Sequence, residues 1–315
     1  MPRFLAEVFL FIGKALVMFL PRRAWRHALR DYVRKYFMLA YFERFTPVLK
    51  TLPEEKIAEG GGERTIWQFW AQGENTAPDI VKVCFESVRR RKGAWNHRIL
   101  TMDNIRDYVD FPGHIWDRWR EGDPDAWRRC RPMNRAHFSD LVRLEVLRRH
   151  GGVWLDATCL MTKGIPEWAE DLDFFVYLVG NAGLKYSFVQ NCFIRAKKGS
   201  YLLGAWEALC LEYWRREKTN IDYFFQQVFF EKLVKTDPRA RALFEEMPHI
   251  DQDPTHRLDP HFYDRFDKAK FDAYISGAHF QKMTHRPLRP VAPDSLYGMI
   301  RAGRVPGFPL PRPAK

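Results

Sequence analysis

Arg149-His150-Gly151-Gly152-Val153-Trp154-Leu155-Asp156-Ala157-Thr158 sets one carboxylate directly after a short apolar run that is entered through two glycines. In an open α/β sheet, ligands sit at the carboxyl ends of the strands. The stretch therefore predicts a buried strand over 152–155 with Asp156 at its functional end. Upstream, Phe138-Ser139-Asp140-Leu141-Val142-Arg143 carries an acid and a base three positions apart, on neighbouring faces of a predicted helix. Asn134 is placed to cap that helix, Phe138, Leu141, Val142 and Leu147 give it an apolar side, and Gly151 ends it.

On the amino-terminal side, Thr65 to Trp70 is apolar and aromatic and reads as the first strand. Pro78 to Arg90 has apolar positions at helical spacing, and His97 to Thr101 is a short strand followed by a small helix that Asp103 can cap. Strand, helix and strand with short connections imply parallel pairing. Phe111 to Pro132, rich in Trp, Arg and Pro, reads as an irregular insertion. Further on, Asp173 to Val179 and Phe188 to Ala196 are strands, while Gly199 to Arg216 and Ile221 to Val234 are long helices with aromatic faces. The expected organisation is a basic amphipathic arm over 1–50, a linker over 51–64 containing Gly60-Gly61-Gly62, a catalytic domain over 65–250 and a Pro-, Arg- and His-rich closing segment over 251–315.

The 315 residues suffice for one α/β domain with appended segments. Through residue 40 there are eight Lys or Arg against two acids, half of the net charge of +12. Phe4 to Leu20 is apolar but broken by Glu7 and Lys14, and Pro21-Arg22-Arg23-Ala24-Trp25-Arg26 follows. Such a run is a poor bilayer span, yet suits a helix lying on an anionic membrane surface. The arm is either that anchor, on the inner face of the plasma membrane, or a set of amphipathic helices packing on the protein itself or on a second subunit, as in a homodimer. Phe19-Leu20-Pro21-Arg22 offers no signal-peptide cleavage site. Five cysteines without a CxxC pair fit a reducing cytoplasm and argue against a disulfide framework or a structural zinc site. The excess charge lies beside the apolar arm and no nucleic-acid motif accompanies it, so no nucleic-acid partner is expected.

Four patches, in order, carry a resemblance over roughly Thr65 to Lys282: Ile66-Trp67-Gln68-Phe69-Trp70, Ser139-Asp140-Leu141-Val142-Arg143, Gly151 through Thr158, and Ile221-Asp222-Tyr223-Phe224. Together they resemble the capsular-polysaccharide-synthesis branch of the glycosyltransferases whose sugar-binding region carries a DXD motif, related to glycosyltransferase family 32. The resemblance implies a GT-A fold: a Rossmann-like mixed, mainly parallel sheet flanked by helices. It implies transfer of a hexose from a UDP- or GDP-sugar to a growing surface glycan, lipid-linked, with retention. The competing expectation is an inactive glycan-binding or scaffold subunit of a polysaccharide assembly complex.

Glycosyl transfer needs a grip on the nucleotide, a charge for the departing diphosphate and a placed acceptor. Asp156 is the expected donor contact, as a ribose acceptor or a ligand of Mn²⁺ or Mg²⁺; its bland role is a turn residue bonding its own backbone. The family motif has a second carboxylate where this chain has Thr158, a hydroxyl without charge. Metal binding then asks for a further ligand, and His279 is the late-chain candidate. Asp140 and Arg143 are expected at the donor or as a plain helical ion pair, and Trp67 and Gln68 at the base or in the core. Gln190 and Asn191 are placed as sugar contacts, and Lys282 and Arg286 as cations for the diphosphate. Asp222 either faces the acceptor or caps a helix.

Overall fold

A computed structural model of the chain describes residues 3–5, 7, 8, 12, 23–52, 64–122, 132–180 and 187–311. Most of the apolar stretch Phe4 to Leu20, most of the linker and Cys130 lie outside the described residues.

Strand β1 (Thr65–Phe69) leads through helix α2 (Asp79–Arg91) to β2 (Asn96–Leu100), which pairs with it in parallel, and helix α1 (Arg23–Phe42) precedes them. Helices α3 (Gly113–Arg120) and α4 (Arg135–His150) follow, and α4 delivers the chain to β3 (Gly152–Leu155), parallel to β1 on its other side. After β4 (Cys159–Met161) and the single turn α5 (Glu167–Glu170) come β5 (Phe174–Leu178) and β6 (Val189–Ala196). The sheet order is β2-β1-β3-β6-β5, with both β6 pairings antiparallel. So β6 alone is reversed, and the sheet is mixed and mainly parallel with helices packed on it, as the resemblance implies. Helices α6 (Tyr201–Arg216), α7 (Phe225–Thr236), α8 (Pro238–Glu246) and α9 (Lys268–Ile275), strand β7 (Phe280–Lys282) and α10 (Leu296–Arg301) complete the chain. Because β2 lies on one side of β1 and β3 on the other, the order reverses between β1 and β3, which opens a crevice at their carboxyl ends.

Local sequence sets the key turn. Asn134 Oδ1 accepts the His137 amide at 2.8 Å, capping α4 as expected, and the helix is buried from His137 to Leu147 except at Ser139. Gly151 and Gly152 take φ of 70° and 107°, values that L side chains rarely adopt, and so swing the chain from helix end into strand. The small helix after β2 is different from the expectation: Asn104 rather than Asp103 turns its side chain back, accepting the Thr101 amide at 2.9 Å. The segment read as an irregular insertion contains α3, whose Ile115 is fully buried and whose Trp119 packs on Phe138.

Both ends of the chain pack more firmly than their polarity implied. Met38, Tyr41, Phe42 and Phe45 are fully buried, and Phe42 stacks on Phe229 of α7 at 3.8 Å between ring centroids. Each such side chain contributes roughly 1.5–3 kcal/mol, so this half of the arm belongs to the main core. The Pro-, Arg- and His-rich segment builds a second core: Leu258, Phe262, Phe271, Leu296, Tyr297 and Phe308 cluster with Ile80, Val83 and Phe85 of α2. It is therefore a packed layer, pinned by the antiparallel pairing of β7 with β4, and not a loose flap.

Candidate active site

The crevice between β1 and β3 holds a cavity of about 620 Å³, within the range of small-molecule sites. Its wall includes Trp70 after β1, Ser139, Asp140 and Arg143 of α4, Asp156 and Thr158 after β3, Gln190 and Asn191 of β6, Tyr223, and Lys282 and Arg286 from the carboxyl-terminal layer. All four sequence patches thus meet in one place with residues from the carboxyl-terminal layer.

Asp156 is the hub. Its amide donates to Cys192 O at 2.8 Å, and its carbonyl accepts the Cys159 amide at 2.8 Å and Gln68 Nε2 at 3.2 Å, so the backbone makes the turn. The carboxylate is left for side chains: Oδ1 accepts Trp154 Nε1 at 2.8 Å and Arg143 at 3.1 Å, and Oδ2 accepts Lys282 Nζ at 2.6 Å. Burial alone would raise its pKa, but Lys282 and then Arg143 hold it at about 2, and it is ionised at neutral pH.

Asp140 takes the other fork of Arg143 at 2.5 Å and Asn191 Nδ2 at 3.2 Å, and Asn191 also donates to Gln226 Oε1 at 2.6 Å. Burial pushes Asp140 up to about 6 against the pull of Arg143, with Asp156 adding to the rise. Burial would lower the pKa of Arg143, yet Asp140 and Asp156 raise it. Among the described residues, two buried atoms on the wall lack a hydrogen-bond partner: Arg143 Nε and Gln227 Oε1. Buried polar atoms ordinarily find partners, so these mark where a ligand would bond.

Several expected contacts are placed elsewhere. Trp67 is fully buried, donating to Gly151 O at 2.9 Å and packing on Tyr108 and His150, so it is a core residue with no face for a base. Gln68 is buried too, its amide oxygen 2.7 Å from His97 Nε2, and it supports the Asp156 turn from behind. The aromatics that reach the cavity here are Phe69, at the end of β1, and Trp70 just after it, edge-on to His285 at 5.3 Å. Position along the chain explains the miss: Phe69 and Trp70 stand at and just past the carboxyl end of β1, where the cavity opens, whereas Trp67 lies mid-strand in the core. Asp222 is fully buried, accepts the Phe224 amide at 2.9 Å and binds Arg34 of α1 through Oδ2. It closes the turn before α7 rather than capping the helix, clasps α1, and does not line the cavity, whereas its neighbour Tyr223 does. His279 Nδ1 lies 2.7 Å from Gly164 O, at the opposite end of the β4–β7 ribbon from Lys282, and is not on the wall. Gln226, which joins Asp140 to Asn191, carried no signal in sequence because it reads as one more polar position on a helix.

The fold and site define an α/β protein with a polar, cation-rich ligand crevice at the switch point of its sheet. The model of the capsular polysaccharide synthesis protein family matches residues 26–300, and the chain belongs to that family. Among similar proteins is the glycosyltransferase afumC of Aspergillus fumigatus, 26% identical over 186 residues that cover 53% of this chain and 42% of that protein. The O-glycosyltransferase braB of Annulohypoxylon truncatum is 25% identical over 195 residues, covering 56% of this chain and 43% of that protein. The chain thus spans less than half the length of these relatives. A solved structure, the PaToxG glycosyltransferase, aligns over 69% of this chain and 84% of its own at 15% identity and a TM-score of 0.41.

Proposed function

We propose that the chain is a glycosyltransferase that moves a hexose from a nucleoside diphosphate sugar, a UDP- or GDP-sugar, onto a cell-surface glycan, with retention and on a lipid-linked acceptor. Family membership and relatives named as glycosyltransferases support the reaction class. The observation that carries the reading is the Asp140–Arg143–Asp156–Lys282 assembly on the wall of the switch-point cavity. In it, Arg143, Lys282 and Arg286 receive the diphosphate, Asp140 and the Asn191 side-chain carbonyl accept from sugar hydroxyls, and Trp70 offers an aromatic surface. The preset dipoles act where charge develops on the leaving group.

The arm supports a site of action on the cytoplasmic face of the membrane. No helix of the described residues is long and apolar enough to cross a bilayer. Leu29, Tyr32 and Tyr36 are exposed at helical spacing on α1, beside Arg30, while Met38, Tyr41 and Phe42 turn inward. That division suits a helix lying on an anionic surface.

Thr158, in place of the family's second carboxylate, favours the second reading, a glycan-binding subunit without turnover. A thermal-shift series with UDP, GDP, CMP and their sugar conjugates on the wild type and Asp156→Ala separates the two. At a hundred times its dissociation constant a ligand stabilises by about 2.7 kcal/mol. A nucleotide-selective shift lost in Asp156→Ala is the expected result; no shift with any donor moves the reading to the subunit.

A further inference from the structure

The residues around Asp156 do not fit a divalent ion. Mg²⁺ and Mn²⁺ take a shell of hard oxygen ligands, for Mg²⁺ at about 2.0–2.1 Å. Here Asp156 Oδ1 already accepts Trp154 and Arg143, and Oδ2 accepts the Lys282 ammonium at 2.6 Å. Thr158 Oγ1, the position of the second carboxylate, is 2.8 Å from the same ammonium. His279 is engaged with Gly164, and among the described residues no group of three or more His, Cys, Asp or Glu is placed to hold a metal. A dication would have to displace Lys282 and stand against Arg143.

We infer that Lys282 is itself the cation of this site: its ammonium, seated between Asp156 and Thr158, receives the donor's diphosphate, and the nucleoside diphosphate binds without a divalent metal. The inference rests on the nucleotide-sugar reading above.

The seat is built by both short strands. Cys159 stands opposite Lys282 in the β4–β7 pairing, and the Met283 amide donates to Thr158 O at 2.8 Å, so the backbone locks Lys282 beside the Asp156 turn. An ammonium has three protons to donate; Asp156 and Thr158 take two, and the third is left for a ligand in the cavity that Lys282 lines. The charge is also right. Arg135, Arg143, Lys282 and Arg286 on the wall stand against Asp140 and Asp156, leaving an excess of two positive charges for two ionised phosphates. Burial would lower the Lys282 pKa, but Asp156 raises it above the ordinary lysine value, so the seat stays charged.

The test uses the full chain with two probes: Mn²⁺ alone, followed by electron paramagnetic resonance, and UDP or GDP alone, followed by calorimetry in EDTA and in Mn²⁺. The wild type is expected to bind no Mn²⁺ through Asp156, giving the same titration as Asp156→Asn. Its nucleotide affinity should change by less than about twofold between buffers, and Lys282→Ala should weaken binding in EDTA roughly ten- to a hundredfold. Lys282→Ala combined with Thr158→Asp empties the seat and restores the second carboxylate, so it should bind Mn²⁺ and recover nucleotide affinity only with it. An Mn²⁺ ion on the wild type that Asp156→Asn loses, or nucleotide binding that rises more than about tenfold with Mn²⁺, overturns the inference while leaving the donor reading intact. Nucleotide binding in neither buffer overturns the donor reading, and the inference with it. The wild-type comparison needs no variant, so misfolding of Lys282→Ala does not spoil it.

Discussion

Helix α4 carries the same local motif twice, Asp140-Leu141-Val142-Arg143 and Glu145-Val146-Leu147-Arg148, and the two copies have different fates. Arg148 bridges Glu145 at 2.6 Å and Glu207 of α6 at 2.5 Å, with Glu145 also accepting the Asp110 amide at 3.0 Å. None of the three lines the cavity. Arg143 likewise bridges two acids, Asp140 and Asp156, but this second assembly opens onto the cavity, shares Asp156 with Lys282 and leaves Arg143 Nε unbonded. Among the described residues, each assembly holds one buried atom without a hydrogen-bond partner, Glu207 Oε1 and Arg143 Nε, but only the second assembly faces the cavity, where a ligand can meet it. Pairs three apart on a helix are worth only a few tenths of a kcal/mol by themselves, so the difference arises from what the rest of the fold brings to each.

The largest effect is expected from Asp156→Ala. It removes the hub, leaving Lys282 without its carboxylate and Arg143 with Asp140 alone, which costs up to about 3–5 kcal/mol of stability, and donor-dependent transfer should fall by about a thousandfold or more. Urea denaturation and a transfer assay read the two losses separately. The sharper break of the comparison is Arg148→Met against Arg143→Met. Arg148→Met strands Glu145 and Glu207, 2% and 3% exposed at their side chains, so it should lose about 3–5 kcal/mol and keep its kcat. Arg143→Met should lose a similar amount of stability, since Asp140 and Glu207, both raised by burial, can each take up a proton in their own variant, but about a hundredfold in transfer.

A smaller effect follows from pH. Asp140, which burial raises to about 6 from the ordinary aspartate value of about 3.9, favours the folded state most when protonated. Its contribution is present below the unfolded value and is lost as pH rises through about 6, a decline of roughly 2–3 kcal/mol. Asp156, lowered to about 2, works in the opposite sense and only below about 4. Burial lowers His97, His137 and His285, which works in the opposite sense over the same range, so the Asp140 effect is read as a difference: between pH 4 and pH 7 in urea melts, the wild type should fare roughly 2–3 kcal/mol worse than Asp140→Asn. The smallest effect is expected on the arm: Tyr32→Glu with Tyr36→Glu should reduce binding to anionic vesicles several-fold at low salt and leave nucleotide affinity unchanged. Unchanged flotation would assign that exposed stripe to another partner, such as a second copy of the chain.

Much of the sheet was legible because strands and helices on it announce themselves by period and by caps. Asn134 and the Gly151-Gly152 pair marked the boundaries of α4 and β3, and Asp156 fell at the strand end where its chemistry is needed. What stayed hidden is long-range. Where β1 ends decides that Phe69 and Trp70, and not Trp67, meet the cavity, and sequence places strand ends only to within a few residues. Asp222 looked equally fit for a cap or a catalyst until Arg34, 188 residues away, was seen to bind it. The second core escaped notice because Phe262, Phe271, Tyr297 and Phe308 are spread among prolines and charges with no regular period.

The most direct test is a calorimetric titration of UDP and GDP into wild type, Arg143→Met and Arg148→Met, each at a temperature where all three are folded. A nucleoside diphosphate seated in the switch-point cavity requires wild-type affinity in Arg148→Met, within about twofold, and a loss of about tenfold or more in Arg143→Met. Equal affinity in all three proteins would contradict the assignment of the cavity as the donor site.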